Sequence, residues 1–127
     1  MVYTMEHKMK LWNDSFVAIK NGTKTVEMRL NDEKRRMIQN DDIIVFHNTL
    51  TGEELRASVV GVKTYKDFYE LYDHYDKISI GYESHQAKNP ADMYDYYSKE
   101  QIETYGALAI EIKIRYNKLR KLKKAKK

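Results

Sequence analysis

The chain has 127 residues, no cysteine, one proline, 42% apolar and 33% charged residues, and a formal net charge of +4. That length suits one domain, and the apolar content is too high for a disordered chain. The absence of cysteine excludes a disulfide scaffold, a thiolate zinc site and a cysteine nucleophile.

The charge is unevenly placed. Lys113 to Lys127 holds nine basic residues and no acidic one, leaving 14 basic and 19 acidic residues before it, a net of −5. The body is mildly acidic and the end of the chain is a basic arm. Such an arm suits phosphate contacts through Lys121, Lys123 and Lys124, or serves as a solubilising terminus. No signal-like apolar run opens the chain, and no apolar run is long enough to span a bilayer. The expectation is a cytoplasmic protein with no membrane partner. Residues 1–6 read as an extension, 7–116 as the domain and 117–127 as the basic tail.

Taken in order, residues 6–12 alternate loosely and predict a strand. Asn13 or Asp14 caps a helix through Lys20, with Phe16 and Ile19 on one face. Asn21-Gly22 stops it, because glycine accepts the left-handed conformation of a helix end. Thr25 to Leu30 alternates as a strand, with Val26, Met28 and Leu30 on one face and Glu27 and Arg29 on the other. Residues 31–41 read as a loop or a short turn of helix, in which Lys34-Arg35-Arg36 either meets backbone phosphates or, with Asp32 and Glu33 before it, is simply solvated.

Ile43 to His47 is apolar on both faces, as a doubly buried strand is, with His47 expected in the core. It pairs as a hairpin with Leu55 to Val62 across Thr51-Gly52. Thr64 with Asp67 predicts a helix over 65–75, its stripe formed by Tyr65, Phe68, Tyr72 and Tyr75 and assigned to packing. Ile78 to Ser84 is a loop. Asn89-Pro90 starts a helix, with proline where its missing N–H costs nothing. Ser98 to Gln101 is a capping box for a helix ending at Gly106. Ala107 to Tyr116 alternates as a strand with one buried face. The sum is α+β: a small mixed β-barrel of about five strands decorated by short helices.

Gly22, Lys24, Glu27 and Arg29 spell G-x-K-x-x-E-x-R. Strand parity puts Glu27 and Arg29 together, so Lys24 joins them only by reaching in from the preceding loop. One carboxylate between two cations then suits a polar ligand. A carboxylate accepts from a base amino group such as cytosine N4, and the cations hold a carbonyl or phosphate oxygen. From the strand alone, a surface Glu–Arg pair with a solvated lysine is the alternative.

The motif resembles the signature of the ASCH family, within the PUA-like superfold. Trp12 to Phe16, Ile19 and Gly22 resemble the family's opening strand and helix. Asp42 to Phe46 resembles its G-D-x-I-x-F strand, with Asp41 where that pattern has glycine. The strand after Tyr105-Gly106 fits its closing strand. The resemblance implies a pseudo-barrel with a cleft for RNA or a nucleoside-like ligand. Lys24, Glu27 and Arg29 would form that cleft, flanked by Trp12, Tyr82, Tyr97 and Tyr105.

Some members are amidohydrolases that deacetylate N(4)-acetylcytidine through G-x-K-x-x-T-x-R, and others are ribonucleases. Lys24 and Arg29 match that pattern, whereas Glu27 stands at the catalytic threonine. Lys24 and Glu27 would be the catalytic pair of an enzyme; no motif places the later glutamate, for which Glu83 is a guess from position alone. The four histidines lack zinc-ligand spacing, and neither a metal nor a cofactor is expected.

Overall fold

The computed structural model describes residues 4–115. The proposed phosphate contacts Lys121, Lys123 and Lys124 lie outside the described residues. The strands are β1 (Glu6–Leu11), β2 (Val26–Leu30), β3 (Ile43–Asn48), β4 (Glu54–Tyr65) and β5 (Ala107–Ile114). The helices are α1 (Asn13–Lys20), α2 (Phe68–Tyr72) and α3 (Lys99–Tyr105), with 3-10 turns at Arg35–Met37 and Pro90–Asp95.

The five strands make one mixed sheet in the order β1-β3-β4-β5-β2, curled into a half-barrel of the PUA-like kind. β1 runs parallel to β3, and the other pairings are antiparallel. β1 and β2 are therefore the two free edges. The sheet buries both faces. On the inner face, Leu11, Phe46, Val59, Leu108 and Ile110 pack around Phe16 and Ile19 of α1. On the outer face, Val26, Leu30, Ala107 and Ala109 pack under Phe68, Leu71 and Ile102 of α2 and α3. The expectation of one buried face for β5 is thus corrected. Ala107 and Ala109 are fully buried, and their small side chains leave room for helices against the strand.

Other local expectations change where long-range pairing competes. The predicted 65–75 helix shrinks to Phe68–Tyr72 because β5 claims the segment before it: Thr64 pairs with Leu108 and Tyr65 with Ala107. Asp67 caps what remains by accepting from Glu70 N at 2.9 Å. Tyr65 leaves the helical stripe yet still packs edge-on against Tyr75, 6.4 Å between centroids. α1 begins after Trp12 without a side-chain cap, and Asn13 instead accepts from Asn48 Nδ2 at 3.0 Å. His47 is not a core residue: its side chain is 43% exposed and faces Glu54 at 3.9 Å.

Elsewhere the chain's punctuation holds. The Ser98–Gln101 capping box is made reciprocally, at 3.1 and 2.9 Å. Asn89 caps the proline-led 3-10 turn. Asp41 has φ +75°, the one positive φ outside glycine among the described residues. The glycine of the resembling pattern thus has a physical reason here, and aspartate is one of the few residues that tolerate that conformation.

Candidate functional site

The motif is positioned by how α1 ends. Gly22 takes φ +87°, and the N–H groups of Thr23 and Lys24 return to the Ala18 carbonyl at 3.1 and 3.0 Å. This tight loop turns the Lys24 side chain inward. The loop is held from the other side by Ser79, whose carbonyl accepts from Thr25 N and Val26 N at 2.9 and 3.0 Å.

Register then decides the fate of Glu27 and Arg29. Glu27 pairs with Ile110 and Arg29 with Leu108, both inner-face residues. Cross-strand partners share a face, so the two charged side chains lie on the face that elsewhere holds the core. Lys24 is 6% exposed and Glu27 4%. Lys24 Nζ donates to Glu27 Oε1 at 2.7 Å and to Ser15 Oγ at 3.2 Å. Arg29 Nε donates to Glu27 Oε2 at 2.7 Å. The surface-pair alternative is set aside by this burial.

Arg29 has a second task. Its Nη2 donates to the Lys10 carbonyl at 2.9 Å, so a side chain on edge strand β2 reaches the backbone of edge strand β1. The ionic cluster sits at the seam of the half-barrel and bridges it.

The electrostatics keep the Glu27 carboxylate and the Arg29 guanidinium ionised. Burial pushes the Glu27 carboxyl up, but Lys24 and Arg29 more than offset it and hold it below its ordinary value. Burial lowers the Arg29 guanidinium while Glu27 raises it, for a net increase. A carboxylate so held accepts hydrogen bonds well and takes up a proton poorly.

Above the cluster opens a cleft of about 440 Å³ with Lys24, Glu27 and Arg29 among its lining, a size suited to one small ligand. Tyr72 and Tyr82 also line it, their hydroxyls 2.9 Å apart, and Tyr82 donates onward to Asp92 Oδ2 at 2.7 Å. Burial and the Asp92 carboxylate raise the Tyr82 phenol above its ordinary value, so it stays protonated at neutral pH. Trp12 and Tyr96 also line the cleft, their rings 5.5 Å apart.

Of the residues expected at the site, Trp12, Lys24, Glu27, Arg29, Tyr82 and Tyr97 come together around this cleft. Tyr105 does not: its ring carries the Arg36 guanidinium at 5.9 Å and packs in the outer core. Glu83 is an exposed residue facing His85 at 3.4 Å and does not line the cleft. Arg35 pairs with Asp32 at 2.6 Å, so that cluster is partly occupied by its own loop.

Sequence reasoning missed Lys10, Ser15, Gly81, Asp92, Asp95 and Tyr96, and assigned Tyr72 to packing alone. Gly81 carried a readable signal, a lone glycine in a loop. A Cβ there would stand 3.2 Å from Lys24 Cδ, so glycine leaves the lysine stem its path. Among the described residues, no group of three or more His, Asp or Glu side chains is arranged to hold a metal ion. No helix among them is long and apolar enough to cross a membrane.

A curled five-stranded sheet with short helices on its faces defines an α+β domain of the PUA-like class. The family model for the ASCH domain matches residues 9–115, and the chain belongs to that family. Among solved structures it is similar to the hypothetical protein PH0355, at 31% identity and TM-score 0.75, over 87% of this chain and 100% of that one. Protein PF0455 from Pyrococcus furiosus matches at 29% identity and TM-score 0.68, over 89% and 100%. An ASCH protein from Zymomonas mobilis shares the fold at 21% identity and TM-score 0.61, over 85% and 66%. Comparison with curated proteins finds no match.

Proposed function

We propose that the protein binds RNA or a nucleoside-like ligand in the cleft above Lys24, Glu27 and Arg29. The observation that carries this reading is a buried Lys–Glu–Arg cluster, its groups paired at 2.7 Å, opening to a cleft of nucleoside size. Membership of the ASCH family supports an RNA-type ligand. The cluster presents an acceptor flanked by donors. Glu27 has lone pairs beyond the two engaged by Lys24 and Arg29, and both cations have further N–H groups. Cytosine offers the complementary edge: an amino donor at N4 beside acceptors at N3 and O2.

The test is calorimetric titration of the full chain with cytidine and with a single-stranded oligoribonucleotide. Lys24→Ala is expected to weaken cytidine binding at least about tenfold, as loss of a charge-assisted hydrogen bond does. Unchanged affinity in that variant overturns the site. In this reading Lys121, Lys123 and Lys124 supply phosphate contacts that add affinity for longer RNA.

A second reading is hydrolysis of N(4)-acetylcytidine. It is favoured by the placement of the Lys24 ammonium in a cleft that Asp92 and Asp95 also line. Against it, Glu27 offers no hydroxyl at the threonine position and is a weak base in its present company. Incubation with N(4)-acetylcytidine, followed by chromatography for cytidine, separates the two readings. Turnover that Lys24→Ala abolishes would establish the enzyme, and absence of turnover with retained binding the module.

A further inference from the structure

The cleft is not built like a phosphate site. Lys10, Lys24 and Arg29 line it together with Glu27, Asp92 and Asp95, so its formal charges cancel. The most buried cations are already committed: Lys24 and Arg29 each hold one oxygen of Glu27. Asp92 and Asp95 are exposed, where an arriving phosphate would meet like charge.

What the cleft offers instead is aromatic surface. Trp12 comes from the junction of β1 and α1, and Tyr96 from the segment after the Pro90–Asp95 turn. The two rings meet at a tilt of 52° and remain 67% and 55% exposed. Two exposed aromatic rings in contact beside a polar cleft offer a stacking surface to a flat partner. Tyr82 and Tyr97 continue the aromatic lining inward.

We propose that the cleft takes one unpaired, uncharged base, stacked at Trp12 and Tyr96 and directed edge-first at Lys24, Glu27 and Arg29, with its phosphates left outside. This rests on the nucleobase reading above and narrows it. A base within a duplex has its edge paired and both faces stacked, so it cannot make these contacts. The ligand is therefore a free nucleoside or a single-stranded nucleotide whose base is turned out.

Trp12 is the only tryptophan of the chain, so its fluorescence reports on the cleft directly. Titration of the full chain with cytidine is expected to quench it saturably. Cytidine 5′-monophosphate should bind within about threefold of cytidine, with little change as salt rises. Tyr96→Ala, read by fluorescence, and Trp12→Ala, read by calorimetry, should each weaken cytidine about five- to 150-fold, the equivalent of about 1–3 kcal/mol per stacked base. Both side chains are exposed, so these variants should fold.

Monophosphate binding tenfold or more tighter than the nucleoside, with a steep salt dependence, overturns the neutral-base assignment. Wild-type affinity in both aromatic variants overturns the stacking assignment and leaves the nucleobase reading standing. Failure of cytidine, uridine and a single-stranded oligoribonucleotide to bind overturns both.

Discussion

Glu27 holds both cations of the buried cluster, one on each carboxylate oxygen. It is the only anion directly bonded to Lys24 and Arg29 among the described residues. Glu27→Gln would leave two cations facing an uncharged amide in a buried setting. Loss of one member of such a pair costs about 3–5 kcal/mol, which urea unfolding of the variant should show. Arg29→Lys keeps the charge but removes the fork that reaches both Glu27 and the Lys10 carbonyl. It should cost about 1.5–3 kcal/mol by the same measurement, the usual worth of hydrogen bonds to a charged group.

The acid response follows from two carboxyls held below their ordinary values. For Glu27, burial is outweighed by Lys24 and Arg29. For Asp42, burial is outweighed by hydrogen bonds from His7, Gln39 N and Met5 N. A depressed carboxyl contributes its full stability above the unfolded-state value, and loses it as pH falls through the folded-state value. The urea midpoint should therefore hold between about pH 6 and 5 and fall progressively below about pH 4.5, and Glu27→Gln should flatten that fall. A midpoint unchanged down to about pH 3 would contradict the buried ionised cluster.

At the scale of elements, turn chemistry was readable and element length was not. Gly22, Asn89-Pro90 and the Ser98 capping box act as read, because each is satisfied by neighbours within a few residues. Two backbone positions give further tests. Gly106 has φ +78° and ψ −175°, and a Cβ there would stand 2.7 Å from the Tyr65 carbonyl oxygen. Gly106→Ala should destabilise by about 1–3 kcal/mol through backbone strain alone, and by more through the clash. Asp41→Gly should do the opposite, stabilising by up to about 1–2 kcal/mol as the left-handed strain is relieved. Thermal unfolding of the two variants should move in opposite directions. The start of α2 was misplaced in the sequence because its first predicted turn, at Tyr65, is worth less as helix than as a pairing with Ala107 of β5.

For the whole molecule, the half-barrel leaves β1 and β2 unpaired with each other, and Arg29 bridges the gap. The mildly acidic body and the basic end then suggest separable duties. Removal of residues 117–127 should weaken binding of an oligoribonucleotide and flatten its salt dependence, by about 0.7 in the log–log slope for each phosphate that the tail no longer neutralises. Cytidine binding in the cleft should be unchanged. An unaltered salt slope would remove the tail from the proposed interface.

The sequence by itself determined the turns, the caps at Asp67, Asn89 and Ser98, the strand alternation and the convergence of Glu27 and Arg29 on one face, because those depend on residues close along the chain. It also carried the family, through Lys24, Glu27 and Arg29 and the elements around them. Only the tertiary structure decided that this face is buried as well as the apolar one, since the pairings of Glu27 with Ile110 and Arg29 with Leu108 cross some 80 residues of chain. It alone brought Trp12, Tyr82 and Tyr96 to one cleft and sent Tyr105 to the outer core. Periodicity records which residues share a face. Which face is covered, and by what, is set by strand pairing at long range, where no local pattern reaches.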